Sequence, residues 1–368
     1  MKKILAIIGL LLMIGFPGEG VAATFKYGAW MPFWNKSDGM FEAAISLDKL
    51  SEVSPFSYEV NPNGTLLDRL KMSSDTAWIT WLSAARDLKV KIIPTIAWFD
   101  GDGLHALLSS KAKRTAHIKN IVSLAVTQKF DGIDIDYENK KAETKPYFSA
   151  FIKELAAALH AKKKTLACTI EPRTPAADRF KVIPQNLEFA NDYVVLGKYC
   201  DQVRVMAYDQ GRIDLNLNAA KSQLEEYYAP VADPVWVEKV LKETLKQIPA
   251  GKIMLGIPTY GYEWRITQDS SGTPQYTRRR SVTYKTVSNL LGSLGAVPQR
   301  NSAGELWFTY STTTMVGDTP TSSFRFVDFT DATAVAQKIA LAKKYKLRGA
   351  VLFKVDGMND SAVWQQLK

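Results

Sequence analysis

Eight short apolar or β-branched segments recur along this chain with helical patterns between them, and this alternation limits the possible folds more than any other feature. The predicted strands are Phe25–Trp34, Val53–Tyr58, Lys91–Trp98, Gly132–Tyr137, Thr165–Ile170, Gln202–Ala207, Lys252–Pro258 and Ala350–Val355. Strands that alternate with helices predict a parallel sheet with crossover helices. Eight such units predict a (β/α)8 TIM barrel of the α/β class.

One crossover helix shows the packing pattern that this fold requires. It follows Pro146, whose fixed φ suits a first helical turn. Its apolar residues recur at helical spacing and predict one buried stripe, made of Phe148, Phe151, Ile152, Leu155 and Leu159.

The chain has 368 residues, which exceeds the roughly 250 residues of a typical barrel. The surplus is found at about 265–327, where the sequence becomes polar and β-rich before a predicted helix at Ala332–Tyr345. We therefore predict one barrel over residues 24–368, with a small α+β insertion after its seventh strand.

The N-terminus has the layout of a secretory signal peptide. Lys2 and Lys3 precede the apolar run Ile4–Phe16, and the small residues Val21, Ala22 and Ala23 follow. We expect cleavage after Ala23, so that residues 1–23 are a leader. The apolar run is shorter than the roughly 20 residues of a membrane-spanning helix. These features predict a secreted, periplasmic or cell-wall associated protein with no integral membrane anchor.

The formal net charge is +10. Long-range attraction to an anionic cell-wall polymer is one expected consequence, and a lysine-rich solvated surface is the other interpretation. The export signal argues against nucleic acid as a partner. Cys168 and Cys200 are too few for a disulfide framework and lack the paired spacing of a zinc site, so neither redox chemistry nor zinc is indicated. No cofactor is predicted.

The most informative segment is the fourth predicted strand with its flanks, Phe130-Asp131-Gly132-Ile133-Asp134-Ile135-Asp136-Tyr137-Glu138. Side chains alternate along a strand, so Asp134, Asp136 and Glu138 share one face. The isoleucines on the other face would pack against helices. The acids are then expected inside the barrel, rising towards the C-terminal mouth where such enzymes carry their sites.

Crowded carboxylates cannot all ionise easily, so their pKa values spread apart. Glu138, the outermost acid, is placed to donate a proton to a bound substrate. Asp136 is placed to stabilise charge, and Asp134 is expected to share a proton with Asp136. A Mg²⁺ or Ca²⁺ site and an acidic cluster without a task remain alternatives, because one strand does not show the ligands that other loops would supply.

The spacing Asp131-x-x-Asp134-x-Asp136-x-Glu138 resembles the signature of glycoside hydrolase family 18, the chitinases and related N-acetylglucosaminidases. Met206-Ala207-Tyr208-Asp209 is similar to the family's Met-x-Tyr-Asp, and the segment 256–261 resembles its seventh strand. The segments 54–58 and 260–264 resemble the branch of bacterial spore-cortex and cell-wall N-acetylglucosaminidases.

The resemblance implies retaining hydrolysis in which the substrate's own 2-acetamido group is the nucleophile. Glu138 would protonate the glycosidic oxygen, and Asp136 would orient the acetamido group. Tyr208 would donate a hydrogen bond to that group, and Asp209 would steady the distorted sugar. The further candidates for substrate binding are Asp131, Met206, Trp98, Tyr260 and Phe353.

Phe353 marks a departure from the family, which usually has a tryptophan there as the floor under the distorted sugar. Phenylalanine offers a smaller stacking area and no indole N–H. Chitin, chitooligosaccharides and peptidoglycan strands are all open as substrates, as are endo and exo action. A non-catalytic glycan-binding protein is the rival hypothesis, and Glu138 argues against it because family members that became lectins typically lose the proton donor.

Overall fold

The computed structural model describes residues 24–316 and 319–368, and the predicted leader lies outside the described residues. Its barrel strands, in chain order, are Lys26–Pro32, Glu52–Val60, Thr95–Trp98 with the short piece Lys91–Ile92 before it, Gly132–Tyr137, Thr165–Ile170, Gln202–Val205, Ile253–Pro258 and Gly349–Phe353. Consecutive strands pair in parallel, and the eighth pairs with the first. The predicted (β/α)8 barrel is confirmed.

Helices occupy every connection between the barrel strands. In chain order the α-helices of the barrel are Lys36–Ile45, Thr76–Asp87, Gly101–Leu108, Lys111–Thr127, Lys145–His160, Ala176–Arg179, Tyr193–Tyr199, Leu215–Lys221, Pro234–Leu245, Ala332–Lys344 and Ser361–Trp364. The predicted stripe of the helix Lys145–His160 is buried, and a proline lies in its first turn, as expected. None of the helices in the described part of the chain is long and apolar enough to cross a membrane.

The insertion after the seventh barrel strand forms a second, antiparallel sheet. Its strands are Tyr260–Gln268, Pro274–Thr283, Gln299–Arg300, Leu306–Val316 and Thr319–Phe329, and the helix Tyr284–Leu294 belongs to it. The insertion thus starts at Tyr260, a few residues before the predicted beginning. Tyr260 follows directly on the end of a barrel strand, so the insertion meets the mouth of the barrel.

The interior of the barrel holds a buried ion-pair network below the acidic strand end. The Arg204 guanidinium lies 2.7 Å from a Glu52 oxygen and 2.9 Å from an Asp134 oxygen. All three residues are at most 4% exposed. Buried charges are tolerated when they are paired and hydrogen-bonded, so this network fixes the position of Asp134.

Cys168 and Cys200 form a disulfide with a Cα–Cα distance of 6.2 Å. The bond joins the fifth barrel strand to the residues just before the sixth. The cysteine count gave no indication of it, because two cysteines separated by 32 residues carry no pattern that distinguishes a pair from two free thiols.

Candidate active site

The acidic face of the fourth strand is confirmed. Asp134 and Asp136 are buried inside the barrel at 0% and 3% exposure, and Glu138 is the first residue beyond the strand. The backbone N–H of Glu138 donates to the carbonyl of Trp98, at 2.9 Å. This bond extends the strand pairing by one residue and holds the Glu138 side chain at the mouth.

Asp134 is saturated with hydrogen-bond donors. One carboxylate oxygen accepts from Trp30 Nε1 at 3.1 Å, Thr95 Oγ1 at 2.8 Å and Arg204 Nη1 at 2.9 Å. The other accepts from Thr169 Oγ1 at 2.8 Å. An ionised carboxylate accepts such bonds without donating any. Arg204 also supplies an opposing charge, and the sharing of a proton between Asp134 and Asp136 remains a prediction.

Asp136 is in the opposite situation. Its Oδ1 is buried and has no hydrogen-bond partner among the described residues. Burial, together with the neighbouring Glu138 and Asp134 carboxylates, raises the pKa of Asp136 well above its ordinary value. A buried acceptor without a partner costs free energy, so this atom is available to a donor group of a bound ligand.

Glu138 is half-buried, and its carboxyl lines the cleft. Burial and the nearby Glu171 carboxylate raise the pKa of Glu138 to about 7, although Lys140 acts in the opposite direction. A carboxylic acid that keeps its proton near neutral pH suits general acid catalysis.

Two residues beside Glu138 were missed by sequence reasoning. The Lys140 ammonium lies 3.6 Å from Glu171 Oε2, and its side chain is only 1% exposed. Lys140 follows the acidic strand by a few residues, whereas Glu171 follows the fifth strand. Their proximity depends on the pairing of the two strands, which neither local pattern shows.

The carboxylates open into a cleft of about 170 Å³. Its aromatic lining, here called the aromatic wall, consists of Trp30, Trp34, Phe56, Phe99 and Phe353. The remaining lining residues are Asp136, Glu138, Met206, Tyr208 and Asp209. Aromatic rings together with a few polar groups are typical of sites that bind sugars or other amphipathic ligands.

Tyr208 lines the cleft, and its surroundings fix the ring closely. Burial is the main cause that raises the pKa of Tyr208 well above its ordinary value, so the hydroxyl keeps its proton. Gly256 lies against this ring, and a Cβ there would come within 2.9 Å of Tyr208 Cε1 and 2.6 Å of the Val205 carbonyl oxygen. The glycine at this position therefore makes room for the tyrosine.

Asp209 has a left-handed backbone conformation, with φ of 61°. Its Oδ1 accepts hydrogen bonds from the hydroxyl of Tyr262, at 2.7 Å, and from that of Tyr260. Tyr260 and Tyr262 belong to the first strand of the insertion. The insertion thus holds one carboxylate of the cleft in place.

Three predicted binding residues do not line the cleft. Tyr260 packs behind Asp209 and Phe353, which do line it. Asp131 is exposed at the start of the strand, where its carboxylate accepts from the backbone N–H of Ile92 at 2.8 Å. Trp98 is in register with Tyr137 and packs edge-on against it at 6.1 Å, behind the barrel wall. The next residue, Phe99, lines the cleft instead. Alternation of side chains along the strand predicts that Phe99, and not Trp98, points towards the cleft.

The family model for "Glycosyl hydrolases family 18" matches residues 45–357. The chain belongs to glycoside hydrolase family 18. The predicted resemblance is confirmed, and the protein is a family 18 glycosidase. Within the described residues, no group of three or more His, Cys, Asp or Glu side chains is placed to hold a metal ion.

Several curated proteins are similar to this family 18 chain. The uncharacterized glycosylase YvbX of Bacillus subtilis is 26% identical over 271 residues, covering 73% of this chain and 70% of that protein. The putative sporulation-specific glycosylase YdhD of the same organism is 28% identical, covering 59% of this chain and 47% of that protein. A cortical fragment-lytic enzyme of Bacillus subtilis is 23% identical, covering 83% and 64%. The chain thus spans about half to two thirds of the length of the latter two.

Solved structures of family 18 relatives share the fold. The chitinase of Chromobacterium violaceum superposes with a TM-score of 0.70 at 24% identity, over 94% of this chain and 98% of that one. The spore cortex-lytic enzyme SleL of Bacillus megaterium gives 0.72 at 21% identity, over 93% and 73%. A Cycas revoluta chitinase in complex with (GlcNAc)3 gives 0.70 at 19% identity, over 93% and 98%.

Proposed function

We propose that this protein is an exported glycosidase that cleaves β-1,4 linkages in glycans containing N-acetylglucosamine, by a mechanism in which the substrate's acetamido group is the nucleophile. The substrates are chitin, chitooligosaccharides or peptidoglycan strands. Family membership supports the reaction class, and the names of the relatives point to chitin and spore cortex. The observation that carries the proposal is the pairing of a protonatable Glu138 with the unpartnered Oδ1 of Asp136 in one cleft.

In the first step, the Glu138 carboxylic acid gives its proton to the glycosidic oxygen as the bond from that oxygen to the anomeric carbon breaks. The carbonyl oxygen of the 2-acetamido group attacks the anomeric carbon from the opposite face. This forms an oxazolinium ring and releases the leaving sugar as an alcohol. The Glu138 carboxylate then takes a proton from a water molecule as the water oxygen bonds to the anomeric carbon and the bond from that carbon to the acetamido oxygen breaks. This restores the Glu138 acid and gives a product with retained configuration.

Asp136 acts on the acetamido group. Its free Oδ1 accepts a hydrogen bond from the acetamido N–H, which turns the carbonyl oxygen towards the anomeric carbon. As the oxazolinium forms, the positive charge on its nitrogen favours the ionised form of Asp136, and the resulting carboxylate stabilises the ring. A bound N–H therefore satisfies the Oδ1 acceptor, which has no hydrogen-bond partner among the described residues.

The remaining cleft residues position the sugar. The Tyr208 hydroxyl, which stays protonated, donates to the acetamido carbonyl oxygen. Asp209, held by Tyr260 and Tyr262, contacts the ring hydroxyls, and Met206 fills the space below. Phe353 provides the stacking surface beneath the sugar.

Export and cell-wall association are further parts of the proposal. The tripartite N-terminal pattern supports export, and the Cys168–Cys200 disulfide suits an oxidising compartment. The net charge of +10 favours attraction to anionic cell-wall polymers.

The experiment that tests this function is a screen of the purified protein, without residues 1–23, on chitooligosaccharides and on peptidoglycan. Products are identified by mass, and their anomeric configuration by NMR at early times. The proposal expects N-acetylglucosamine-containing products with the β configuration. Binding to these glycans without any product would favour the glycan-binding alternative.

A further inference from the structure

Lys140 and Glu171 form a pair of opposite charges near the catalytic acid, with Lys140 buried and Glu171 partly exposed, and neither takes part in the proposed reaction. We infer that Lys140 and Glu171 are positioning residues of the reaction, which act on the Glu138 carboxyl through their charges without contacting the scissile bond. This inference rests on the proposed function, and it names two residues that govern the pH range of the same site.

The Lys140 ammonium is held from two sides. It donates to the carbonyl oxygen of Tyr137, the residue that precedes Glu138, and it lies 3.6 Å from Glu171 Oε2. The aromatic ring of Phe148 lies 4.9 Å from the nitrogen. A lysine that is 1% exposed cannot be screened by water as a surface lysine is, so its charge acts strongly on its neighbours.

Glu171 is fixed by a different part of the fold. It follows the fifth barrel strand, and its Oε2 accepts from Asn191 Nδ2 at 2.6 Å. Its side chain is 37% exposed, so water screens this carboxylate more than it screens Lys140. The geometry therefore places a well-buried cation, held against the backbone of the residue before Glu138, next to a partly exposed anion.

The other charged groups around Glu138 come from its own strand and from the sixth. Asp136 lies one layer deeper on the same strand, and Asp209 with Tyr208 follows the sixth strand. The hydroxyls of Tyr260 and Tyr262 donate to Asp209, which lies between them and Glu138. The aromatic wall is uncharged, and Lys354 behind Trp34 is paired with Asp356 at 2.7 Å. Lys140 is thus the cation that acts on Glu138, against several carboxylates.

The two residues have opposite effects on the acid. After burial, Glu171 is the largest cause of the raised pKa of Glu138, and Lys140 lowers that pKa. A general acid works only while it holds its proton, so the alkaline limit of activity follows the pKa of Glu138. Removing Lys140 should extend activity to higher pH, and removing Glu171 should restrict it to lower pH.

The test compares the pH profiles of kcat/KM for Lys140→Met, Glu171→Gln and the double variant, with a p-nitrophenyl glycoside of diacetylchitobiose as substrate. We expect the alkaline limb to move up by roughly half a pH unit or more in Lys140→Met, and down in Glu171→Gln. In the double variant the limb should return towards that of the unmodified protein. A merely structural role would lower activity at every pH without these opposite movements.

Matched controls are Lys141→Met, which removes the adjacent lysine that pairs with the exposed Asp102, and Glu188→Gln, which removes an exposed carboxylate from the cavity that Glu171 lines. Both should leave the limb in place. If Lys140→Met does not fold, Glu171→Gln still decides, because the amide has the same shape. The inference would be overturned if the alkaline limb of kcat/KM stayed in place in the folded variants, or if it moved in the same direction in Lys140→Met and Glu171→Gln.

Failure of the proposed function can be told apart from failure of this inference. The carboxyl of Glu138 can be titrated by NMR in protein labelled with ¹³C-glutamate, its signal being assigned by its loss in Glu138→Gln. If no glycan is hydrolysed, the same opposite movements of this titration still support the inference, and their absence contradicts it.

Discussion

The rings of Tyr208 and Phe353 stack almost parallel, with centroids 5.1 Å apart and an interplanar angle of 8°. Phe353 also meets Trp30 and Tyr260 edge-on, at 5.8 and 5.9 Å. A residue that departs from the family's usual tryptophan is therefore packed against the proposed acetamido contact. Phe353 has both a cleft face and a packing face.

Replacement of Phe353 tests these two faces. Phe353→Ala should weaken binding of chitooligosaccharides and lower stability, by less than the roughly 3–5 kcal/mol of a fully buried phenylalanine because Phe353 is half-buried. Phe353→Trp should be tolerated and should bind the same oligosaccharides as tightly or more tightly. Thermal melts and calorimetric titrations measure both effects. A tryptophan variant with a clearly lower melting temperature and no gain in affinity would favour a role in packing alone.

Asp136→Asn should reduce kcat by about 10²–10³-fold, because the oxazolinium loses its nearest anion. The amide keeps the shape, so KM should change little. Asp131→Asn makes the same chemical change on the same strand, away from the cleft, and should leave kcat unchanged. Normal kinetics in Asp136→Asn would remove Asp136 from the mechanism.

Reduction of the Cys168–Cys200 bond should lower the free energy of unfolding by about 2–5 kcal/mol, because the cross-link restricts the unfolded chain. The chain contains only these two cysteines, so a reductant acts on one bond. Denaturant unfolding with and without dithiothreitol measures the change, and Cys168→Ser with Cys200→Ser serves as the reductant-insensitive control. An unchanged midpoint would contradict the expectation.

The raised pKa of Glu138 should also appear in the pH dependence of stability. Its folded pKa of about 7 lies above the ordinary value of 4.5, so the folded state binds more protons between these limits and loses stability as the pH rises. Glu138→Gln carries no such penalty. Its free energy of unfolding should exceed that of the unmodified protein by on the order of 2 kcal/mol at pH 8. At pH 4 the two proteins should be equally stable. An equal difference at both pH values would show that Glu138 does not titrate in this way.

Much of the barrel could be predicted because its signals are local. The alternation of strands and helices gives the fold, and the period of two along the fourth strand places Asp134, Asp136 and Glu138 on one face. The same period of two argues against Trp98 as a cleft residue, because Thr95 and Phe99 share the inward side of the third strand. Local patterns therefore suffice where one element decides the outcome.

The remaining features depend on contacts between distant segments. Arg204 meets Asp134 and Glu52 only because strands two, four and six face one another inside the barrel. Lys140 meets Glu171 through the pairing of the fourth and fifth strands. Neither sequence segment alone shows a charge pair of this kind.

The central claim is that Glu138 donates the proton that breaks the glycosidic bond. It is tested most directly by single-substrate hydrolysis of chitotetraose by the unmodified protein and by Glu138→Gln, with products quantified by mass and both proteins shown to be folded. We expect cleavage by the unmodified protein and a loss of at least about 10²-fold in the variant, which should still bind the oligosaccharide. A folded Glu138→Gln protein that retains about a third of the turnover would contradict it, because an amide cannot donate the proton.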